Sequence, residues 1–236
     1  MRLFTSVRAS VLAFVALGLF AGQASAGPIT VLNPSFETVV INSPGTDICP
    51  ITNWTCSPAA DTRLGIYDFT TAQYPTYPSG VPNGTYAAYI GPDMAGGFFS
   101  QDTSAQIAAN TTYSLSVYGG NRFDFGFTPG TISLTANGVI IASLTLSDPG
   151  EGLWASQTLT YANGSSFLNQ TLGIRLSAPA ATFSGQVNFD NVGLTSELTG
   201  TAGTFDATAV PEPTTLGLLG LGLALGIGRA RRVSRR

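Results

Sequence analysis

The sequence predicts an all-β fold, two antiparallel sheets packed face to face as a sandwich. Three observations carry this expectation. Between Gly27 and about Ser196 no 3.6-residue apolar period is sustained. Short alternating runs bounded by Gly, Pro, Asn and Asp recur instead. Asn137-Gly138, between two such runs, supplies both positive φ angles of a type I′ hairpin turn.

In chain order, strands are expected near residues 28–33, 63–68, 85–90 and 97–102. Tyr113-Ser114-Leu115-Ser116-Val117 alternates apolar and polar, the pattern of a half-buried strand. Ile132-Ser133-Leu134-Thr135 repeats it, and Val139 to Leu146 returns from the hairpin turn as its partner. Further strands are expected near 153–161, 170–177 and 186–194. About ten short strands with Ser/Thr-rich outer faces suit a two-sheet sandwich with one core. No internal repeat is visible at solenoid or propeller periods.

Composition narrows the chemistry. The chain of 236 residues has no histidine, and all ten of its basic residues are arginines. Without His there is no Ser-His-Asp triad, no imidazole base and no imidazole metal ligand. Without Lys there is no Schiff base and no phosphate-loop lysine. The formal charge of −3 is an average over unlike segments. Residues 27–208 hold twelve acids but only Arg63, Arg122 and Arg175, a net of −9. A body so acidic repels phosphate backbones, which excludes nucleic acid as a partner.

The first 26 residues read as a secretory signal peptide. Arg2 and Arg8 form the positive region, Val11 to Ala21 is apolar, and Ala24-Ser25-Ala26 offers a signal peptidase its small residues before Gly27. A permanent N-terminal anchor is the alternative, but eleven apolar residues are short for ~30 Å of hydrocarbon. At the other end stand Val210-Pro211-Glu212-Pro213, an apolar stretch from Thr214 to Gly228, and then an arginine cluster. Fifteen residues at ~1.5 Å rise make roughly 22 Å, a short membrane helix weakened by five glycines. The arginines belong on the cytoplasmic side, which leaves the body outside. Pro211 and Pro213 keep Glu212 in an extended segment that a protease can read.

This tripartite order resembles the PEP-CTERM sorting signal of bacterial exported proteins over Val210 to Arg236. The resemblance implies recognition of Pro211, Glu212 and Pro213 by an exosortase-type membrane protease after transient membrane anchoring. It also implies export across the bacterial inner membrane to the cell surface or an extracellular polysaccharide matrix. An uncut tail anchor is the alternative. The expected organisation is therefore signal peptide 1–26, sandwich 27–196, flexible linker 197–209 and sorting signal 210–236. Cys49 and Cys56 fall in the exported part, where a short local disulfide worth about 2–3 kcal/mol at most is expected.

Asn33-Pro34-Ser35-Phe36-Glu37 near the start of the body and Phe189-Asp190-Asn191-Val192-Gly193-Leu194 near its end carry a second resemblance. They resemble the first and last strands of carbohydrate-binding-module jelly rolls, the galactose-binding-like fold. This implies a jelly-roll sandwich with its terminal strands side by side. It also implies a structural Ca²⁺ held by Glu37 and Asp190, with Asn33 a weaker ligand; hard oxygen donors and backbone carbonyls suit that ion. Sugar-binding members stack pyranose rings on exposed aromatic planes. Trp54, Tyr67, Tyr74, Tyr77 and Trp154 are the aromatic candidates here, with Arg63 and Asp68 to hydrogen-bond hydroxyls. Core packing is the competing explanation for both tryptophans.

A third stretch points elsewhere. Gly65-Ile66-Tyr67-Asp68, Tyr77-Pro78-Ser79-Gly80-Val81-Pro82-Asn83-Gly84 and Tyr86-Ala87-Ala88-Tyr89-Ile90 are similar to a region of the calcium-dependent Stig cyclases. Those enzymes share the jelly roll and use an acidic residue with aromatics in an apolar pocket. Asp68, Asp124 and Asp190 are the candidate acids, and none matches by position alone. Asp148 and Glu151 lie in a Pro-Gly turn that explains them, and Arg122 is equally a ligand group or a partner for Asp124. No residue is assigned as catalytic. The leading expectation is an exported, Ca²⁺-stabilised jelly roll that binds glycan. An enzyme on the same fold, cyclase or glycan hydrolase, and a purely structural matrix protein are the alternatives.

Overall fold

The computed structural model describes residues 27–38, 46–59, 61–69 and 77–199. Tyr74, nearly all of the linker and the segments expected to form the signal peptide, the sorting signal and a helix at each terminus lie outside these residues. Twelve strands follow in order: β1 Gly27–Ile29, β2 Thr46–Ile48, β3 Thr55–Ser57, β4 Leu64–Asp68, β5 Tyr86–Ile90, β6 Phe98–Gln106, β7 Thr111–Asn121, β8 Thr131–Ala136, β9 Val139–Thr145, β10 Leu153–Asn163, β11 Thr171–Ser177 and β12 Val187–Leu198. Among the described residues there is no helix, and none long and apolar enough to cross a membrane. The three-residue strands β2 and β3 are additional to the sequence-based expectation, being too short to show any alternation.

Seven strands form one antiparallel sheet in the order β10-β7-β12-β5-β4-β2, with β1 also on β12, and five form the other, β3-β6-β11-β8-β9. The terminal strands do lie side by side, with Ile29 opposite Leu194. This is the two-sheet sandwich that the alternation predicts, in the jelly-roll arrangement that the resemblance implies. Leu115, Val117, Ile132, Leu134, Ile174, Leu176, Val187 and Phe189 fill the space between the sheets. The hairpin turn has Asn137 at φ 46° and Gly138 at φ 80°, and Ala136 pairs with Val139 across it.

Cys49 and Cys56 are bonded to one another. Between them Trp54 turns inward, not outward. It is 3% exposed, its ring centroid lies 5.2 Å from that of Phe36, and its Nε1 donates to the Asn33 carbonyl at 3.0 Å. Its loop is so short that the indole has no route past the sheet edge, and core burial wins. Trp54→Ala should therefore cost about 3–5 kcal/mol of stability, read as a fall in denaturant midpoint. A variant that kept its midpoint but lost ligand would restore Trp54 to the surface.

Candidate functional site

The outer face of the seven-stranded sheet carries the site. On β7 and β10, Trp154 pairs with Gly120 and Ser156 with Tyr118, so Trp154 and Tyr118 are diagonal neighbours on one face. Gly120 makes room: a Cβ there would stand 2.6 Å from Tyr77 Oη and 2.7 Å from the Trp154 ring. A second apolar cluster, separate from the core, forms over this face from Phe69, Tyr77, Ala87, Tyr67, Val81 and Trp154. The Tyr77 and Trp154 centroids are 4.5 Å apart, and Phe69 meets Tyr77 edge-on at 5.0 Å.

Arg122 closes one side. Its guanidinium lies over Phe125 and Tyr67, with centroids at 4.8 and 5.5 Å. It donates twice to the Asp124 carboxylate and once to Gln186 Oε1 at 3.0 Å. Gln186 then donates to Asn188 Oδ1 at 2.6 Å. Tyr77 Oη, Trp154 Nε1 and Asn121 Oδ1 are buried without a hydrogen-bond partner among the described residues. Asn188 stands beside the Tyr77 hydroxyl, but the pair lacks hydrogen-bond geometry. Burial raises the Tyr77 phenol well above its ordinary value. Beside the cluster lies an open groove of about 320 Å³, floored by Trp154 and Tyr118 and walled by Ser79 to Pro82 and by Leu153.

Two carboxylates pin the segment that follows that wall. Asp190 is fully buried, and its oxygens accept from the Asn83 and Asn191 amides at 2.9 and 2.6 Å. Glu37 Oε1 accepts from the Thr85 and Tyr86 amides at 2.8 and 2.7 Å. Each carboxylate thus ties one end of the 83–86 segment to the sheet. A bulge after Asp190, with Asn191 at φ 48°, lets Val192 donate to Pro34 and aims Asp190 under the loop. Burial, opposed by the two amides and reinforced by Glu37, pushes the Asp190 pKa up to about 7. The folded chain then keeps a proton that the unfolded chain, with an ordinary Asp near 3.9, releases. In chelator, stability should fall as pH rises from about 4 to 7 and level off above, and Asp190→Asn should flatten that slope. A thermal-melting series across pH reads it, and an equal slope in the variant would sink the assignment.

The other expected ligands separate. Asn33 spends its side chain on Thr38 and Thr52, as donor to both carbonyls and acceptor from the Thr38 amide. Its amide thus clamps a turn. Arg63 is held by Asp61 through two hydrogen bonds, at the exposed start of β4. Tyr67 and Tyr77 do join one cluster, and Asp68 ends the same strand that carries Tyr67. Tyr118, Gln186 and Asn188 were not singled out in the sequence, because an isolated Tyr or amide on a strand carries no signal. Asn188 stands two residues before Asp190, on the same face by alternation.

A jelly roll with an aromatic cluster and a carboxylate-pinned loop over one sheet defines the class. The chain belongs to the HpiC1-like family: the profile described as HpiC1 cyclase matches residues 27–195. The PEP-CTERM protein-sorting motif matches residues 209–232 and marks an exported protein that is anchored in the membrane before sorting. Among solved structures, the Stig cyclase Fisc from Fischerella sp. TAU, in complex with (3Z)-3-(1-methyl-2-pyrrolidinylidene)-3H-indole, is similar at 27% identity and TM-score 0.63 over 74% of this chain and 99% of that one. A Fischerella sp. TAU cyclase with 4-(1H-indol-3-yl)butan-2-one gives the same identity, TM-score and coverage. The carbohydrate-binding module TmCBM61 in complex with β-1,4-galactotriose is a more distant likeness, at 18% identity and TM-score 0.44 over 72% of this chain and 99% of that one. A direct sequence comparison with curated proteins finds no match.

Proposed function

We propose that this chain is an exported binding member of the cyclase family, holding a saccharide in the Trp154–Tyr118 groove at the cell surface or in the surrounding matrix. One observation carries the reading: two aromatic residues, diagonal neighbours on one sheet face, line an open groove whose wall includes Ser79. Its volume of about 320 Å³ is at the lower end of the ~300–1,000 Å³ typical of small-ligand sites and suits a sugar ring. Pyranose C–H faces stack on aromatic planes while their hydroxyls meet the polar rim.

The surroundings of two of the three candidate acids favour binding over acid catalysis. Asp190 is enclosed by backbone amides under the loop, and Asp124 is chelated by Arg122. Cyclisation of an indole-bearing terpenoid is the second reading, favoured by the family and by the indole compounds held by the Fischerella cyclases. Retention of the purified chain in gels containing soluble neutral polysaccharides tests the first reading. Trp154→Ala should lower the affinity at least tenfold without unfolding the chain. Unchanged retention would overturn it, and saturable binding of 4-(1H-indol-3-yl)butan-2-one lost in the same variant would favour the second.

Glu37 and Asp190 also fit a calcium ion. A buried carboxylate beside a second carboxylate, both hydrogen-bonded to backbone amides and to no cationic side chain among the described residues, lacks a counter-charge. Gly84 at φ 78° has no Cβ, and the Glu37 carboxyl fills that space. Among the described residues no group of three or more His, Cys, Asp or Glu forms, so backbone carbonyls would complete the shell. A bound Ca²⁺ would supply charge compensation there. Glu37 and Asp190 hold the 83–86 segment beside the groove wall, and the wall orients whatever stacks on Trp154.

A further inference from the structure

The outer face of the five-stranded sheet holds a second built surface, on the side of the sandwich away from the aromatic groove. One register row crosses all five strands: Thr55, Ser100, Arg175, Ser133 and Ser143 stand opposite one another in turn. Four hydroxyls therefore flank a single arginine. That arginine differs from the other two in the body. Arg63 is chelated by Asp61 and Arg122 by Asp124, whereas the Arg175 side chain has no ion pair or hydrogen bond among the described residues. Its guanidinium rests on Phe98, 3.6 Å from the ring centroid, and its Nε is buried without an acceptor. Stacking fixes the fork before any ligand arrives, so little rotamer freedom remains to be lost.

The next row adds an acceptor. Asp102, Gly173 and Thr135 are register partners, and a Cβ on Gly173 would stand 2.6 Å from Asp102 Oδ1 and 2.5 Å from Thr135 Oγ1. The two oxygens thus converge over a hollow that the glycine leaves open. Arg175, Asp102 and Thr135 line one groove of about 380 Å³. It presents a rigid donor fork on one side and a carboxylate acceptor on the other. A sugar hydroxyl both donates and accepts, so two adjacent hydroxyls match this pair, one receiving from Arg175 and its neighbour donating to Asp102. Charge selects among sugars: Asp102 in the groove and a body of −9 around it disfavour uronates and sulfated units.

We propose that the Arg175–Asp102 groove is a second saccharide subsite, selective for the vicinal hydroxyls of an uncharged sugar. It shares no residue with the Trp154–Tyr118 groove and stands without it. With both sites occupied, one chain joins two glycan segments on opposite faces.

The test measures retention of the full-length chain in gels containing soluble galactan, glucan or mannan, with polygalacturonate as the charged comparison. The Trp154→Ala chain should keep measurable binding to at least one neutral polymer. Adding Arg175→Ala, or separately Gly173→Ala, should lower that residual binding at least tenfold, and Arg175→Lys should lose less. Gly173→Ala meets mainly side-chain ends, so a preserved melting temperature shows that the loss is local. The proposal is overturned if the Trp154→Ala chain binds no neutral polymer. It is equally overturned if Arg175→Ala and Gly173→Ala leave that binding unchanged, or if polygalacturonate is held more tightly. Failure of the aromatic groove reads out separately, as equal binding by wild type and Trp154→Ala.

Discussion

Chelation of calcium is expected to lower the melting temperature of the full-length chain by about 5–10 °C at pH 8. A site at a hundred times its Kd contributes about 2.7 kcal/mol. Each kcal/mol moves the midpoint of a body this size by about 2–4 °C. The argument rests on Asp190, whose burial favours its protonated form, and on Glu37, which raises it further. At pH 8, above its pKa of about 7, Asp190 is ionised, and a divalent cation would compensate that buried charge. Glu37→Gln with Asp190→Asn should abolish the calcium response. That variant should also equal or exceed the metal-free wild type in stability, because a buried charge is gone. Saccharide retention should weaken in chelator as well, since the same carboxylates hold the 83–86 segment beside the groove wall. A wild-type midpoint indifferent to chelator, or a double variant that still responds, would remove calcium from this site.

The sheets were legible because period-two alternation is a local property of the chain. Tyr113 to Val117 shows which face is buried without any knowledge of its partners, and Asn137-Gly138 names its own turn. The pairing of Glu37 with Asp190 was legible only through two motifs at the chain ends, which the adjacency of β1 and β12 brings together. The aromatic site was half legible. Tyr67 and Tyr77 stand in a Tyr-rich stretch, but what lets Tyr77 meet Trp154 is Gly120, a residue with no side chain to notice. Trp54 shows the limit most plainly. Its sequence neighbourhood, a short disulfide loop, looks like surface, yet burial depends on Phe36 eighteen residues away along the chain. Arg175 has the same character in reverse: it alternates like any outward residue, and its register partners across the sheet are Ser100 and Ser133, not acids.

Gly119 and Gly120 are adjacent on β7, and the same substitution at each should do opposite things. At Gly120 a side chain enters the space of Tyr77 and Trp154 on the outer face. At Gly119 it meets Leu146 Cδ1 at 2.8 Å, inside the core. Gly120→Val should expel the rings and lower saccharide retention about thirtyfold, the fold-change of a 2 kcal/mol contact. The loop above it is clamped through Glu37 and Asp190, not through Gly120, so the cost in stability should stay near the ~1–3 kcal/mol of ordinary overpacking. Gly119→Val should lower stability by a similar or larger amount, because Leu146 is packed among buried neighbours, and leave retention unchanged in the molecules that remain folded. Equal retention by the Gly120→Val and wild-type chains would mean that the saccharide does not stack on Trp154. Equal loss in both variants would mean that retention reports folding alone. Only a loss confined to Gly120→Val assigns the activity to the outer face of this sheet.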